Sequence, residues 1–201
     1  MNLIEKATIM HYHRHRIASY KTDSVKALGW RGSESQLKRF EVLANIGDLN
    51  GASILDVGCG YGDLKAYLDQ DFSDFVYIGI DQMPEFITEA QSVYKNDANT
   101  TFYQSDFSTV NFPKVDYVFA SGALGYRCAD PDFYTDMISK MYGVAKIALG
   151  FNMLDRAHFP KDPLLTGHDF DSILVFCRRL SPRVKVIRGY LKDDFTIFIQ
   201  K

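Results

Sequence analysis

The chain has 201 residues, a formal charge of −2 at neutral pH, and apolar and charged shares of 46% and 24%, which suit one globular domain with a substantial core and leave little room for a second. No apolar stretch approaches the roughly 20 residues of a membrane-spanning helix, and residues 1–20 are too polar for a secretory signal, so a cytoplasmic chain without a membrane partner is expected. Cys59, Cys128 and Cys177 lack any C-x-x-C spacing, which argues against a disulfide framework or a structural zinc.

In chain order, residues 1–20 read as a helical arm with an imperfect apolar stripe at Ile4, Ala7, Ile9, Met10 and Ile17. Within it His11 and His15 share a helical face, but no H-E-x-x-H pattern and no third ligand accompany them, so no metal is expected. Residues 21–32, with Gly29 and Gly32, read as a loop. Ser33 followed by Gln36 reads as a capping box opening a helix with Leu37, Phe40, Leu43, Ala44 and Ile46 on one face and Gly47 as its stop.

From residue 53 onward strands and helices alternate, the pattern of a doubly wound α/β sheet. Strands are predicted at 54–57, 75–80, 101–104, Val115–Ala120 and 145–151, with helices after the first, second and fourth of them, the second helix opening at Pro84. A long segment, 152–168, precedes a short helix near 169–179, and strands at Val184–Arg188 and 195–200 close the chain as a hairpin. The expected organisation is one domain, 1–201, with residues 1–32 as an arm or lid on an α/β core at 33–201.

The run Ile54-Leu55-Asp56-Val57-Gly58-Cys59-Gly60-Tyr61-Gly62-Asp63-Leu64 is a buried strand, a glycine turn and a helix start. Glycines there permit positive φ and let a ligand approach the backbone. In open α/β sheets ligands sit beyond the carboxyl ends of the strands. That rule selects Asp56, Gly58, Cys59 and Gly60 from the first strand and Asp81, Gln82 and Met83 from the second. It adds Asp106 and Phe107 from the third and Ser121 from the fourth. A carboxylate at position 81 can accept hydrogen bonds from both hydroxyls of a ribose.

The spacing G-x-G-x-G after Asp56 departs from the dinucleotide fingerprint G-x-G-x-x-G. It resembles motif I of the class I S-adenosylmethionine-dependent methyltransferases, and the likeness extends from about Trp30 to the C-terminus. The resemblance implies a Rossmann-like, mostly parallel seven-stranded sheet with its last strand antiparallel, and S-adenosyl-L-methionine as cofactor. It further implies that Asp106 faces the adenine amino group, that Phe107 or Met83 packs on the ring, and that the small residues from Ala120 to Leu124 lie near the methyl group. The chain departs from two subfamilies. Ser121-Gly122-Ala123-Leu124 replaces the Asn/Asp-Pro-Pro-Tyr/Phe of amino-methylating enzymes, and no Pro-Cys pair supplies a cytosine-directed nucleophile.

No catalytic base is identifiable from sequence, because orienting the acceptor against an already reactive methyl group can suffice. A small-molecule acceptor is the leading expectation, with the arm and residues 152–168 enclosing it. Asn152, Arg156 and His158 would offer polar contacts there, and Phe151, Met153, Leu154 and Phe159 an apolar wall. Residues 1–40 carry eight basic residues against three acidic ones, and Arg178, Arg179, Arg183, Lys185, Arg188 and Lys192 form a second basic cluster. These keep RNA as an alternative acceptor, and a non-catalytic cofactor-binding module as another. Arg39 reads either as a surface charge or as a partner for the cofactor carboxylate.

Overall fold

In the computed structural model, which describes residues 1–20 and 24–201, the strands are β1 (Ser53–Val57), β2 (Val76–Asp81), β3 (Thr100–Gln104), β4 (Val115–Ala120), β5 (Ala145–Leu154), β6 (Val184–Arg188) and β7 (Asp194–Gln200). They form one seven-stranded sheet in the order β3-β2-β1-β4-β5-β7-β6. Neighbours from β3 to β5 pair in parallel, whereas β7 runs antiparallel to both β5 and β6. The strand order reverses beside β1, with β2 on one flank and β4 on the other, which opens a crevice at the carboxyl ends of these strands.

The helices are α1 (Leu3–Tyr20), α2 (Ser24–Ala27), α3 (Ser33–Ala44), α4 (Asp63–Leu68), α5 (Pro84–Val93), α6 (Phe133–Val144) and α7 (Phe170–Leu180). Side chains alternate across the sheet, so each central strand feeds two cores. Leu55, Val57, Val118, Leu149, Phe151 and Ile197 pack with Ile138 and Met141 of α6 and Cys177 of α7. Ile54, Tyr77, Phe119 and Phe198 pack on the opposite face with Leu43 of α3, Leu64 of α4 and Ile87 of α5. Burial of each such large side chain contributes about 1.5–3 kcal/mol, so the central strands form a rigid base for the crevice. Asp169 caps α7 by accepting from the Ser172 amide at 2.9 Å, and Arg178 and Arg179 complement the dipole at its other end.

Five local expectations are corrected. Ser33 is the first residue of α3 and makes no capping box: Gly32 occupies the cap without a side-chain bond, and Gln36 donates instead to Asp63 Oδ2 at 2.8 Å. Gly47 does not stop that helix in a left-handed turn; Asn45 is the C-cap, and a Cβ at 47 would lie 2.7 Å from the Tyr117 hydroxyl. Leu37 is exposed while Gln36 and Arg39 are buried, because that side of α3 faces the crevice and not the sheet core. Finally, Asn152, Met153 and Leu154 are not loop but extend β5, where they pair with Thr196, Phe195 and Asp194. In the expected loop at 21–32, residues 24–27 are helical, and 21–23 lie outside the described residues.

Candidate functional site

Backbone geometry builds the floor of the crevice. The amides of Gly58 and Cys59 donate to the Ile80 carbonyl at 2.8 and 3.1 Å, which pins the turn after β1 to the end of β2. Gly58 and Gly60 hold φ of 78° and 56°, values that cost a residue with a Cβ roughly 1–2 kcal/mol. Asp81 locks the same turn from below: Oδ2 accepts from the Gly60 amide at 3.0 Å and Oδ1 from the Met83 amide at 2.9 Å. Burial pushes its carboxyl above the usual range, against the opposing pull of those amides. Each oxygen keeps a further lone pair for a ligand hydroxyl.

Asp56 lies deeper, fully enclosed. Its Oδ2 accepts from the Tyr77 hydroxyl at 2.5 Å, and its Oδ1 has no protein partner. Burial pushes the carboxyl up to about 7 although the Tyr77 bond opposes the shift. The wall on the β4 side is set by Asn152 of β5, whose Oδ1 accepts from the Gly122 amide at 2.9 Å and whose Nδ2 donates to Ser121 Oγ at 3.3 Å. Asn152 therefore shapes the turn after β4 from within the sheet.

These elements enclose a largely apolar cavity with about 210 Å³ of water-accessible space. Of the residues selected from sequence, Asp56, Gly58, Cys59, Gly60, Asp81, Gln82, Met83, Phe107 and Ser121 line it together. Asp106 stands outside the wall: its Oδ2 pairs with Lys6 of α1 and its Oδ1 accepts from Ser108. Met153, Leu154 and Phe159 also line the cavity, while Arg156 points away and pairs with Asp169 at 2.7 Å. His158 is exposed beside Asp155, and Cys128 is partly buried.

The roof is made by the N-terminal segment. Leu28 sits where a Cβ on Gly60 would project, 2.6 Å away, and the Trp30 ring sits 2.7 Å from where one on Gly122 would project. Arg39 is neither a surface charge nor an open cation. It is buried, stacks on Trp30 at 4.8 Å, donates to the Ser35 carbonyl at 3.0 Å and pairs with Asp194 of β7. Tyr190 donates to the other Asp194 oxygen at 2.7 Å. Burial raises the Asp194 carboxyl to about 6, against the opposing pull of Arg39 and of the Tyr190 hydroxyl.

In α1 the histidine that faces the cavity is His13, while His11 and His15 are exposed. No cluster of three His, Cys, Asp or Glu side chains able to hold a metal occurs among the described residues. His13 Nδ1 lies 3.3 Å from the Ala27 carbonyl and Nε2 lies 2.6 Å from the Tyr126 hydroxyl. Burial lowers its pKa to about 4, so the ring is neutral. Sequence reasoning did not select Tyr126, Tyr190 or Asp194, left Trp30 ambiguous, and weighed the histidines of residues 11–15, for a metal, a lid or a general base, without singling out His13. Only His13 had a usable signal, since it lies one helical turn after Ile9 on the buried side of α1.

The profile of a methyltransferase domain matches residues 54–147. A Mycobacterium tuberculosis protein provisionally named a methyltransferase is 30% identical over 161 residues, covering 74% of this chain and 93% of the relative. Among solved structures, magnesium protoporphyrin IX methyltransferase of Synechocystis with bound S-adenosylhomocysteine superposes with a TM-score of 0.71 at 18% identity, covering 98% of this chain and 99% of that one. The N-methyltransferase NodS of Bradyrhizobium japonicum gives 0.70 at 14% identity, covering 95% and 97%. At these identities the structural likeness speaks for the fold.

Proposed function

We propose a small-molecule acceptor, from the premise that this chain belongs to the class I S-adenosylmethionine-dependent methyltransferases and is itself such an enzyme. The residues present fit the cofactor: a positive-φ glycine turn without side chains and the two carboxylates Asp81 and Asp56, the latter with an unpartnered Oδ1, belong to the lining of one cavity. In this reading Asp81 holds the ribose hydroxyls, and Met83 and Phe107 flank the adenine, with Gln82 beside them. Gly58, Cys59, Gly60 and Ser121 line the amino-acid portion. Asp106 reaches the adenine amino group once it exchanges Lys6 for it. Bound S-adenosylmethionine supplies a methyl group that is already electrophilic. The chain's own work is to orient the acceptor and exclude water.

One observation carries the small-molecule reading. Four basic residues of the N-terminal segment are engaged internally: Lys6 with Asp106, Arg14 with Glu85, Arg31 with Asp193 and Arg39 with Asp194. The cavity they close over is apolar and walled by Ile9, Tyr12, Trp30, Met153, Leu154 and Phe159. A phosphate backbone would need those cations unpaired. Of the second cluster, Arg188 is paired with Asp155 at 2.7 Å. Among the described residues no helix is long and apolar enough to cross a membrane, and a cytoplasmic setting fits the cysteines, which are free.

The test has two parts. Calorimetry is expected to give micromolar affinity for S-adenosylhomocysteine and none for NAD. Incubation with methyl-labelled S-adenosylmethionine and either a small-molecule extract or total RNA is expected to label the former. Label confined to RNA, together with a salt-sensitive gel shift, would replace this reading by the RNA one.

A further inference from the structure

We infer that Tyr126 and His13 form the proton-accepting end of the acceptor pocket, and that the acceptor is therefore a nucleophile bearing a proton, an alcohol, phenol or amine and not a carboxylate. The inference rests on the methyltransferase reading above. Both side chains line the same cavity as the glycine turn. Tyr126 directly follows the short helical turn Ala123–Gly125 after β4, and that turn abuts Gly58: a Cβ there would lie 2.7 Å from Ala123 Cβ.

The hydrogen bonds fix the direction of proton flow. The Ala27 carbonyl, 3.3 Å from Nδ1, can only accept, so the Nδ1–H tautomer is selected and Nε2 is left with its lone pair. The Tyr126 hydroxyl must then donate to Nε2 across 2.6 Å. Its oxygen retains lone pairs toward the cavity, where an acceptor X–H can donate. The Tyr126 backbone is held in place by the Tyr134 hydroxyl, which donates to its carbonyl at 2.7 Å and in turn accepts from the Cys128 amide. The His13 ring is wedged edge-on against Phe86 of α5 at 5.1 Å. This is a directed two-step chain, not a stray contact.

As the acceptor atom takes the methyl group, the C–S bonding pair stays on sulfur, the X–H proton moves to the Tyr126 oxygen, and the Tyr126 proton moves to His13 Nε2. The imidazolium so formed would have both N–H groups bonded, to Ala27 and to Tyr126. The transfer removes one positive charge from the donor sulfur and creates one on His13, so the charge of the closed cavity is unchanged. A carboxylate acceptor arrives without a proton and gives this pair nothing to do.

The groups facing the pair are Tyr12 and Arg16 of α1, Asp81 at the end of β2, the Ala27 carbonyl and the Phe86 ring. With His13 titrating at about 4, the rate should stay level from pH 8 to about pH 5 and fall only below it.

Wild type, Tyr126→Phe and His13→Gln are assayed with labelled S-adenosylmethionine against catechol, a primary alcohol, aniline and benzoate. Tyr126→Phe keeps the ring and should lose about 10²-fold in kcat, with S-adenosylhomocysteine affinity within twofold; His13→Gln should behave alike. A kcat within threefold of wild type for Tyr126→Phe, or transfer confined to benzoate, overturns the proposal. Nitrogen-15 histidine NMR with S-adenosylhomocysteine bound decides the matter if no probe is methylated. An Nδ1–H tautomer at pH 7, whose titration near pH 4 is shifted in Tyr126→Phe, supports the chain; an Nε2–H tautomer or an imidazolium at pH 7 overturns it. Wild-type protein that fails to bind S-adenosylhomocysteine would instead sink the methyltransferase reading itself.

Discussion

The floor and the roof of the cavity are held by different physics. The floor is backbone: Gly58 and Cys59 amides on Ile80, and Gly60 and Met83 amides on Asp81, all rooted in strands buried on both faces. The roof is side chain. Only Ile9 and His13 of α1 are buried, and the helix is tacked down by Lys6–Asp106, Arg14–Glu85 and the Glu5 carboxylate on the Ala129 amide. Ion pairs of this partly exposed kind contribute about 0–1 kcal/mol each. We propose that α1 lifts as a lid without disturbing the sheet, as a site that closes over a ligand requires.

Removing the roof is the strongest way to break this contrast. Deletion of residues 1–20 is expected to abolish turnover, because His13 and the Ile9 and Tyr12 side of the apolar wall go with it. Affinity for S-adenosylhomocysteine should fall by less than about tenfold, or 1.4 kcal/mol, as read by calorimetry on the folded remainder. Full methyl transfer by the truncated protein would show that the arm is not a cover.

The floor should respond oppositely. Asp81→Ala is expected to weaken S-adenosylhomocysteine binding at least about a hundredfold, since charge-assisted bonds to a ribose contribute about 1.5–3 kcal/mol each. It should also lower the melting temperature, because the Gly60 and Met83 amides lose their acceptor. An unchanged dissociation constant would move the ribose elsewhere.

A pH experiment sharpens how deep the floor is. The Asp56 carboxyl is raised from an ordinary 3.8 to about 7, so the fold binds its proton more tightly than the unfolded chain does. The stability this gives is complete below about pH 4 and is lost as pH rises toward 7. Asp56→Asn carries no such titration. Its melting temperature relative to wild type should rise between pH 4 and pH 7 and level off above. A constant difference across that range would contradict the assignment.

The smallest effect belongs to a single tack. Lys6→Ala should cost less than about 1 kcal/mol of stability. Freed of Lys6, Asp106 should be easier to recruit, so cofactor affinity is expected to stay level or improve by a few-fold. A tenfold loss would mean that Lys6 itself contacts the ligand.

The floor was readable because its signals are local. Ile-Leu-x-Val followed by alternate glycines specifies strand and turn within a few residues, and Asp81 follows directly on a strand. Val115–Ala120 and Val184–Arg188 match their predicted bounds for the same reason. The roof was not readable because its partners are remote. Gln36 looked like half of a capping box until Asp63 appeared beside it, and Arg39 could not announce Asp194, a partner 155 positions away.

Sequence by itself thus determined the order of strands and helices, the glycine turn and the carboxylates at the strand ends, since these follow from period, propensity and neighbours along the chain. Tertiary structure alone decided which histidine of the arm meets Tyr126, that β5 continues through Asn152 to clamp Gly122, and that Lys6 and Arg14 of the arm are already engaged. Those outcomes depend on which side chains share a buried space after the sheet has twisted and the arm has folded back. No periodicity along the chain encodes that.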